Sequence, residues 1–176
     1  VSQGSMGFAL PAIIGAYTTG KKNIVSVIGD GSIMMNLQEL QTIKYYKIPA
    51  KIFIINNKMY GIIRRRQKEL FRGRTIGTDD TNGVGNPDFR KISKAFDIKY
   101  KLIKTKKNLT SEINSVLKEK KTVICEIIAD ENQEYIEIGY ANNKKGKIVR
   151  RPLEDQKPFL DRNTFLREMI IEPIDQ

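Results

Sequence analysis

Three short runs in this chain are apolar on nearly every residue rather than on every second one. They are residues 24–28 (Ile-Val-Ser-Val-Ile), 51–56 (Lys-Ile-Phe-Ile-Ile-Asn) and 122–129 (Thr-Val-Ile-Cys-Glu-Ile-Ile-Ala). A strand with one wet face alternates apolar and polar side chains, whereas a near-continuous apolar run is covered on both faces. Segments of helix length separate these runs. One passes through Leu37, Leu40, Ile43 and Tyr46, and others are predicted over residues 87–96 and 109–119. A further strand is expected near residues 100–103. Strand and helix in alternation predict an α/β fold, a parallel sheet with helices on both faces.

The ends of the chain read differently. Residues 5–17 are small and apolar all round, which predicts a buried helix, with Pro11 tolerable as a kink or near its start. Asn36 followed by Glu39 reads as a capped helix start. From about residue 139 the rhythm stops. Residues 142–146 (Asn-Asn-Lys-Lys-Gly) are loop chemistry, and the prolines at 152 and 158 exclude a long helix or strand between them. A short helix is expected at 163–170. The organisation expected is a domain over residues 1–138 and an irregular C-terminal tail over 139–176, packed on that domain or on a neighbouring subunit. Val1 opens the sequence inside what reads as a working loop, so a piece of a longer protein, or a product of processing, is expected.

Composition removes several chemistries. The 176 residues include no histidine, so neither a Ser-His-Asp site nor a HExxH zinc site can be built from this chain. The single cysteine, Cys125, excludes an intrachain disulfide and a multi-cysteine metal cluster, and its place in a strand run predicts an inert core thiol. No apolar stretch reaches the roughly 18–20 residues of a membrane span and no secretory signal is visible, so a reducing, cytoplasmic setting is expected. The net charge of +11 invites a nucleic-acid reading, but the lysines are scattered along helix faces and ends. Only Arg64, Arg65, Arg66, Arg72 and Arg74 form a dense patch, which leaves a basic nucleic-acid-binding module as the non-enzymatic alternative.

In an open parallel sheet, ligands bind beyond the carboxyl ends of the strands. Gly29-Asp30-Gly31-Ser32 lies at the end of one strand and Asn56-Asn57 at the end of the next. Asp30 and Asn57 are 27 positions apart, room for one helix and one strand in a right-handed crossover. On adjacent strands, roughly 4.8 Å apart, the Asp30 carboxylate and the Asn57 amide oxygen could share one cation. Two protein oxygens, a backbone carbonyl or water, and phosphate oxygens make the octahedral shell that Mg²⁺ prefers. The glycines beside Asp30 allow close approach, and the N–H groups of Gly31 and Ser32 could face an anion at a helix start. The residues therefore read as a Mg²⁺-bridged diphosphate site.

This Gly-Asp-Gly followed by Asn resembles the signature of thiamine diphosphate enzymes, in their diphosphate-binding domain. The similarity is to the acetolactate synthase group. It is carried by three blocks in order, residues 4–16, 29–40 and 55–61. The resemblance implies side-chain binding of Mg²⁺ by Asp30 and Asn57, with Met59 adding its backbone carbonyl. It implies that Gly31, Ser32, Tyr60, Gly61 and Ile62 line the diphosphate. Met6 matches the bulky apolar residue that props the cofactor in its bent form, with Gly4 beside it. From periodicity alone, Met6 would be assigned to the core.

In such enzymes the activating glutamate comes from a pyrimidine-binding domain, usually across a dimer interface. No glutamate here matches it, so no catalytic residue is expected in this chain and half an active site is. The implied function is decarboxylation of a 2-keto acid such as pyruvate and transfer of the acyl unit to an acceptor, in a homodimer or homotetramer. A separate diphosphate-binding subunit of a 2-keto acid decarboxylase is the alternative. The chain departs from the amino-acid-forming acetolactate synthases where they carry a tryptophan lining the acceptor pocket. Arg66 holds that position, which suits either a larger anionic acceptor or a solvated or interface helix face, and Arg65 is expected to be the most solvated of the three arginines.

Overall fold

A computed structural model of the chain describes residues 4–133, 140–142, 146–152, 154–155 and 158–171. The polypeptide divides into two compact units, Val1–Glu131 and Asn132–Gln176. The boundary expected at residues 138–139 lies outside the described residues.

The first unit is built on a four-stranded, all-parallel sheet. Its strands are β1 (Ile24–Gly29), β2 (Ala50–Asn56), β3 (Lys99–Ile103) and β4 (Val123–Ile128), in the spatial order β1-β2-β4-β3. The two central strands are the most continuously apolar, as burial on both faces requires. Helices α1 (Ala9–Thr18), α3 (Glu39–Tyr45) and α5 (Phe89–Ala95) bury Leu10, Ile13, Leu40, Ile43 and Phe89 in one core with Ile24, Ile28, Ile52, Ile54 and Ile124. On the opposite face α6 (Leu109–Leu117) covers Phe53, Val123 and Cys125. Each such fully buried aliphatic side chain contributes about 1.5–3 kcal/mol relative to exposure.

Two local expectations are corrected. Helix α1 is not buried all round, because Phe8 at its entry and Tyr17 near its end are exposed, and only Leu10 and Ile13 are fully enclosed. Asn36 does not cap a helix either. It ends a 3₁₀ turn, Met34–Asn36, and α3 begins at Glu39 without a side-chain cap. The amide of Asn36 is used elsewhere, as shown below.

In the second unit, β5 (Tyr140–Asn142) and β6 (Ile148–Arg150) form an antiparallel pair, a short ladder that the sequence reading leaves as loop. Helix α7 (Arg162–Glu168) follows, capped by Asp161, whose carboxylate accepts the Thr164 N–H at 2.9 Å. Asp155 is buried between two arginines: Arg162 donates to both carboxylate oxygens at 2.7 Å, and Arg151 Nε to Oδ2 at 2.7 Å. The Arg162 contact, with Arg151 behind it, holds this carboxyl below its ordinary range. Among the described residues, no helix is long and apolar enough to cross a membrane.

Candidate functional site

Strands β1 and β2 are neighbours, and Gly29 registers with Ile55, so Asp30 and Asn57 leave the sheet at the same edge. Asp30 opens the one-turn helix α2 (Asp30–Ile33) and is only 3% exposed. Its Oδ1 accepts the N–H of Gly31 at 2.8 Å. Its Oδ2 accepts two donors, the Lys58 N–H at 2.7 Å and the Asn86 amide at 2.6 Å. Burial pushes this carboxyl above its ordinary value, and the N–H donors pull against that shift. No lysine or arginine among the described residues pairs with it. A buried carboxylate met only by neutral donors is a position that favours a cation.

The loop after β2 is held from both sides. Lys58 adopts a left-handed backbone (φ 60°), which costs a non-glycine residue about 1–2 kcal/mol. That conformation turns its N–H onto Asp30 and onto Asn56 Oδ1, 3.0 Å away. Asn57 Oδ1 accepts the Met59 N–H at 3.3 Å. Met59 is buried and forms an isolated antiparallel bridge with Asp79, while the Tyr60 N–H reaches the Thr78 carbonyl at 2.8 Å. Below the loop, Asn56 donates to the buried Glu126 at 2.6 Å, and the Tyr100 hydroxyl donates to the other Glu126 oxygen. Burial and then that carboxylate push the Tyr100 phenol upward.

Gly31 and Tyr60 share one space. A Cβ at position 31 would stand 2.2 Å from Tyr60 Cε1, so the ring lies directly on the glycine. The Gly31 N–H, expected to face an anion, turns back onto Asp30. Ser32 Oγ accepts the Gly7 N–H at 2.9 Å, and the Asn36 amide donates to the Gly7 carbonyl at 3.2 Å. These two bonds clamp residues 6–8 against the Gly29–Ser32 turn. Met6 is 45% exposed there, an open apolar side chain beside the turn and not a core residue as periodicity would have it. A Cβ added at Gly4 would meet no atom of the described residues within 4 Å.

Gly61 starts helix α4 (Gly61–Leu70), and Ile62 and Ile63 point outward, Ile62 being 67% exposed. The inward arginine is Arg64. Its side chain is 25% exposed, its Nη1 lies 3.4 Å from Met59 Sδ, and its Nε lies 3.5 Å from Asp79 Oδ2. Arg65 and Arg66 both reach Glu69, at 2.9 and 3.2 Å. The expected ranking is reversed, because Arg66 (59% exposed) is more solvated than Arg65 (40%). Three of the five arginines of the basic patch, Arg64, Arg65 and Arg66, are thus paired with carboxylates of their own chain.

Residues 2–127 match the family described as thiamine pyrophosphate enzyme, C-terminal TPP binding domain. The chain belongs to this family. It is 38% identical over 132 residues to the acetolactate synthase large subunit of Porphyra purpurea, covering 73% of this chain and 22% of that protein. It is 35% identical over 129 residues to the acetolactate synthase isozyme 2 large subunit of Escherichia coli (strain K12), covering 73% and 23%. The mitochondrial acetolactate synthase of Schizosaccharomyces pombe is 33% identical over 131 residues, covering 74% and 19%. The chain therefore spans about a fifth of the length of the relatives it matches.

The donor set suits a diphosphate-bound cation. Among the described residues no group of three or more acidic or cysteine side chains gathers to hold a metal. A cation beside Asp30 would have to complete its shell from amide and backbone oxygens and from phosphate or water, an all-oxygen set that suits Mg²⁺. The family's description, TPP binding, names a ligand that carries such phosphate oxygens. Two contributors to this edge are absent from the sequence reading: Asn86, on the carboxylate itself, and the turn containing Thr78, Asp79 and Asn82, which closes on Met59 and Tyr60. Asn82 Oδ1 accepts the Thr78 N–H at 2.7 Å and the Asp79 N–H at 3.1 Å. The Asp-Asp-Thr-Asn-Gly stretch at 79–83 is turn chemistry and legible as such. Its partner strand end, some 20 residues earlier, is not.

Proposed function

We propose that this chain is the diphosphate-binding half of a thiamine diphosphate-dependent, acetolactate synthase-like carboligase. The observation that carries the reading is Asp30, a carboxylate 3% exposed, without an ion pair among the described residues, at the carboxyl edge of a parallel sheet and hydrogen-bonded to the Asn57 loop. Asp30 and Asn57 would hold Mg²⁺ by side chain and Met59 by its carbonyl. Gly31, Ser32, Tyr60, Gly61 and Ile62 would flank the diphosphate, with Met6 propping the cofactor in its bent form and Gly4 beside it. When bound, thiamine diphosphate supplies the electron sink that lets a 2-keto acid such as pyruvate lose carbon dioxide and pass its acyl unit to an acceptor.

This chain's own part is to bind and orient. Asp30 supplies the compensating charge, and the Lys58 and Gly31 N–H groups keep its carboxylate fixed. The Tyr60 ring lies over Gly31, and its N–H ties the end of the Asn57 loop to the Thr78 carbonyl. The activating glutamate belongs to a pyrimidine-binding domain of the same or a partner chain, in a cytoplasmic homodimer or homotetramer. The exposure of Phe8, Met34, Met35, Ile62 and Ile63, on the segments that carry the site, supports a covering partner there.

The test is Asp30→Ala in the intact protein, with thiamine diphosphate binding followed by calorimetry as Mg²⁺ is varied. Loss of the Mg²⁺-dependent component is expected, with Asn57→Ala weakening it less. Normal, Mg²⁺-dependent binding by Asp30→Ala would remove the site assignment.

A further inference from the structure

The described molecule offers one polar side chain on the Asp30 carboxylate that the motif does not name. The Asn86 amide donates to Asp30 Oδ2 at 2.6 Å, across 56 positions of sequence. It comes from neither of the strand ends that form the site. Asn86 sits between two fixed points. Behind it, Pro87 restricts the backbone, Asp88 caps α5 by accepting the Arg90 and Lys91 N–H groups at 2.9 and 3.1 Å, and Phe89 is buried in the core. Ahead of it, the Val84 N–H bonds to the Asp79 carbonyl at 2.9 Å, tying the loop to the turn that closes on Met59. The amide is therefore held at the carboxylate and does not simply drift near it.

The division of donors between the two oxygens gives this contact a role. A carboxylate oxygen accepts about two hydrogen bonds. Of the donors from other described residues, Oδ2 takes both the Lys58 N–H and the Asn86 amide, whereas Oδ1 takes the Gly31 N–H. Oδ1 thus carries the fewer donors from other residues. Without Asn86, Oδ2 would keep a single donor, the Lys58 N–H, and the carboxylate would be held less firmly against turning about its terminal bond.

We propose that Asn86 is a positioning residue for the cation, which saturates Asp30 Oδ2 and so fixes the carboxylate with Oδ1 presented to the metal. Through Asn86, the loop 71–88 and helix α5 become part of the metal site. The inference rests on the Mg²⁺-diphosphate reading above. Groups of this kind, one bond behind a metal ligand, typically alter metal affinity by about 10- to 100-fold.

The experiment titrates Mn²⁺ into the intact protein with thiamine diphosphate present, reading bound metal by electron paramagnetic resonance, for wild type, Asp30→Ala, Asn86→Ala and Asn86→Leu. Leucine keeps the branched shape of asparagine and removes the donor. Both Asn86 variants are expected to need roughly 10-fold or more Mn²⁺ for half-saturation, while thiamine diphosphate affinity at saturating metal stays within about twofold of wild type. A role in loop packing alone predicts otherwise: Asn86→Leu would bind Mn²⁺ like wild type, or cofactor affinity would fall at every metal concentration. Either result overturns the inference, as does failure of both variants to fold. No Mn²⁺ binding by wild type, or equal binding by Asp30→Ala, would instead overturn the underlying site reading.

Discussion

Gly29 and Gly31 flank the same aspartate, and the motif treats them alike, but the structure does not. A methyl group at Gly31 would lie 2.2, 2.8 and 2.9 Å from Tyr60 Cε1, Cδ1 and Cζ. Ordinary carbon contacts are about 3.5–4.0 Å, so the ring would have to retreat by about 1.3–1.8 Å. The Tyr60 backbone is fixed, its N–H bonded to Thr78 and its carbonyl accepting the Arg64 N–H at 2.9 Å at the start of α4, so the ring can yield only by turning about its side-chain bonds. Overpacking of this kind costs about 1–3 kcal/mol. For a chain of this size that corresponds to a loss of about 3–10 °C in Tm. At Gly29 the nearest atom to an added Cβ is Ser32 Cβ at 3.9 Å, and the backbone (φ −76°, ψ 157°) suits any residue. Gly29→Ala should therefore stay within about 0.5 kcal/mol of wild type, helped by the reduced freedom of the unfolded chain. The assay is thermal and urea unfolding of both variants without cofactor, repeated in a Tyr60→Ala background. The Gly31→Ala penalty should shrink by about 1 kcal/mol or more once the ring is gone. Equal penalties for the two glycines, or a Gly31→Ala penalty untouched by Tyr60→Ala, would refute the argument.

Three other outcomes are expected. Cys125 is fully buried and burial pushes its thiol up to about 11, so at pH 8 only about one thiol in a thousand is ionised; a disulfide reagent should label it only under denaturing conditions, and rapid labelling of the native protein would contradict the buried placement. The depressed Asp155 carboxyl stabilises the second unit above the unfolded value, about pH 3.9, and that contribution is lost as pH falls through the lower folded value. Asp155→Asn at neutral pH should accordingly cost about 2 kcal/mol and lower amide-exchange protection in α7, and unchanged protection there would count against the network. For Arg66, an acceptor contact of the charge-assisted kind is worth about 1.5–3 kcal/mol; Arg66→Ala in the intact enzyme should raise the acceptor KM by about 10- to 100-fold with cofactor affinity unchanged, and equal small effects in Arg65→Ala and Arg66→Ala would mark both as solvated partners of Glu69.

Much of the fold was legible because one physical signal, apolar continuity, carries both strand position and sheet type. Residues 51–56 and 122–129 read as doubly covered strands, and they are the two central ones. The edge strand shows where that signal weakens. Val25 and Val27 look as buried in sequence as Ile24 and Ile28 do, yet they are 49% and 63% exposed, because α6 covers the other half of that face. Helix α1 fails for the same reason. A run of small apolar residues records what a surface can pack against, not whether this chain alone supplies the packing.

The site divides along a different line. Asp30 and Asn57 could be paired from sequence because they end consecutive strands of a parallel sheet, where topology alone brings them to one edge. Asn36 could not be placed, since its amide bonds to Gly7, a contact set by how the first loop folds back and not by helix spacing. Asn86 is the extreme case. No periodicity connects it to Asp30, and only the capped start of α5, with Phe89 buried behind it, brings its amide to 2.6 Å from the carboxylate. Ligand atoms on strand ends follow from topology, whereas the groups that aim them come from loops whose anchors lie in the core. A motif search finds the first kind, and the hydrogen-bond partners of a buried carboxylate reveal the second.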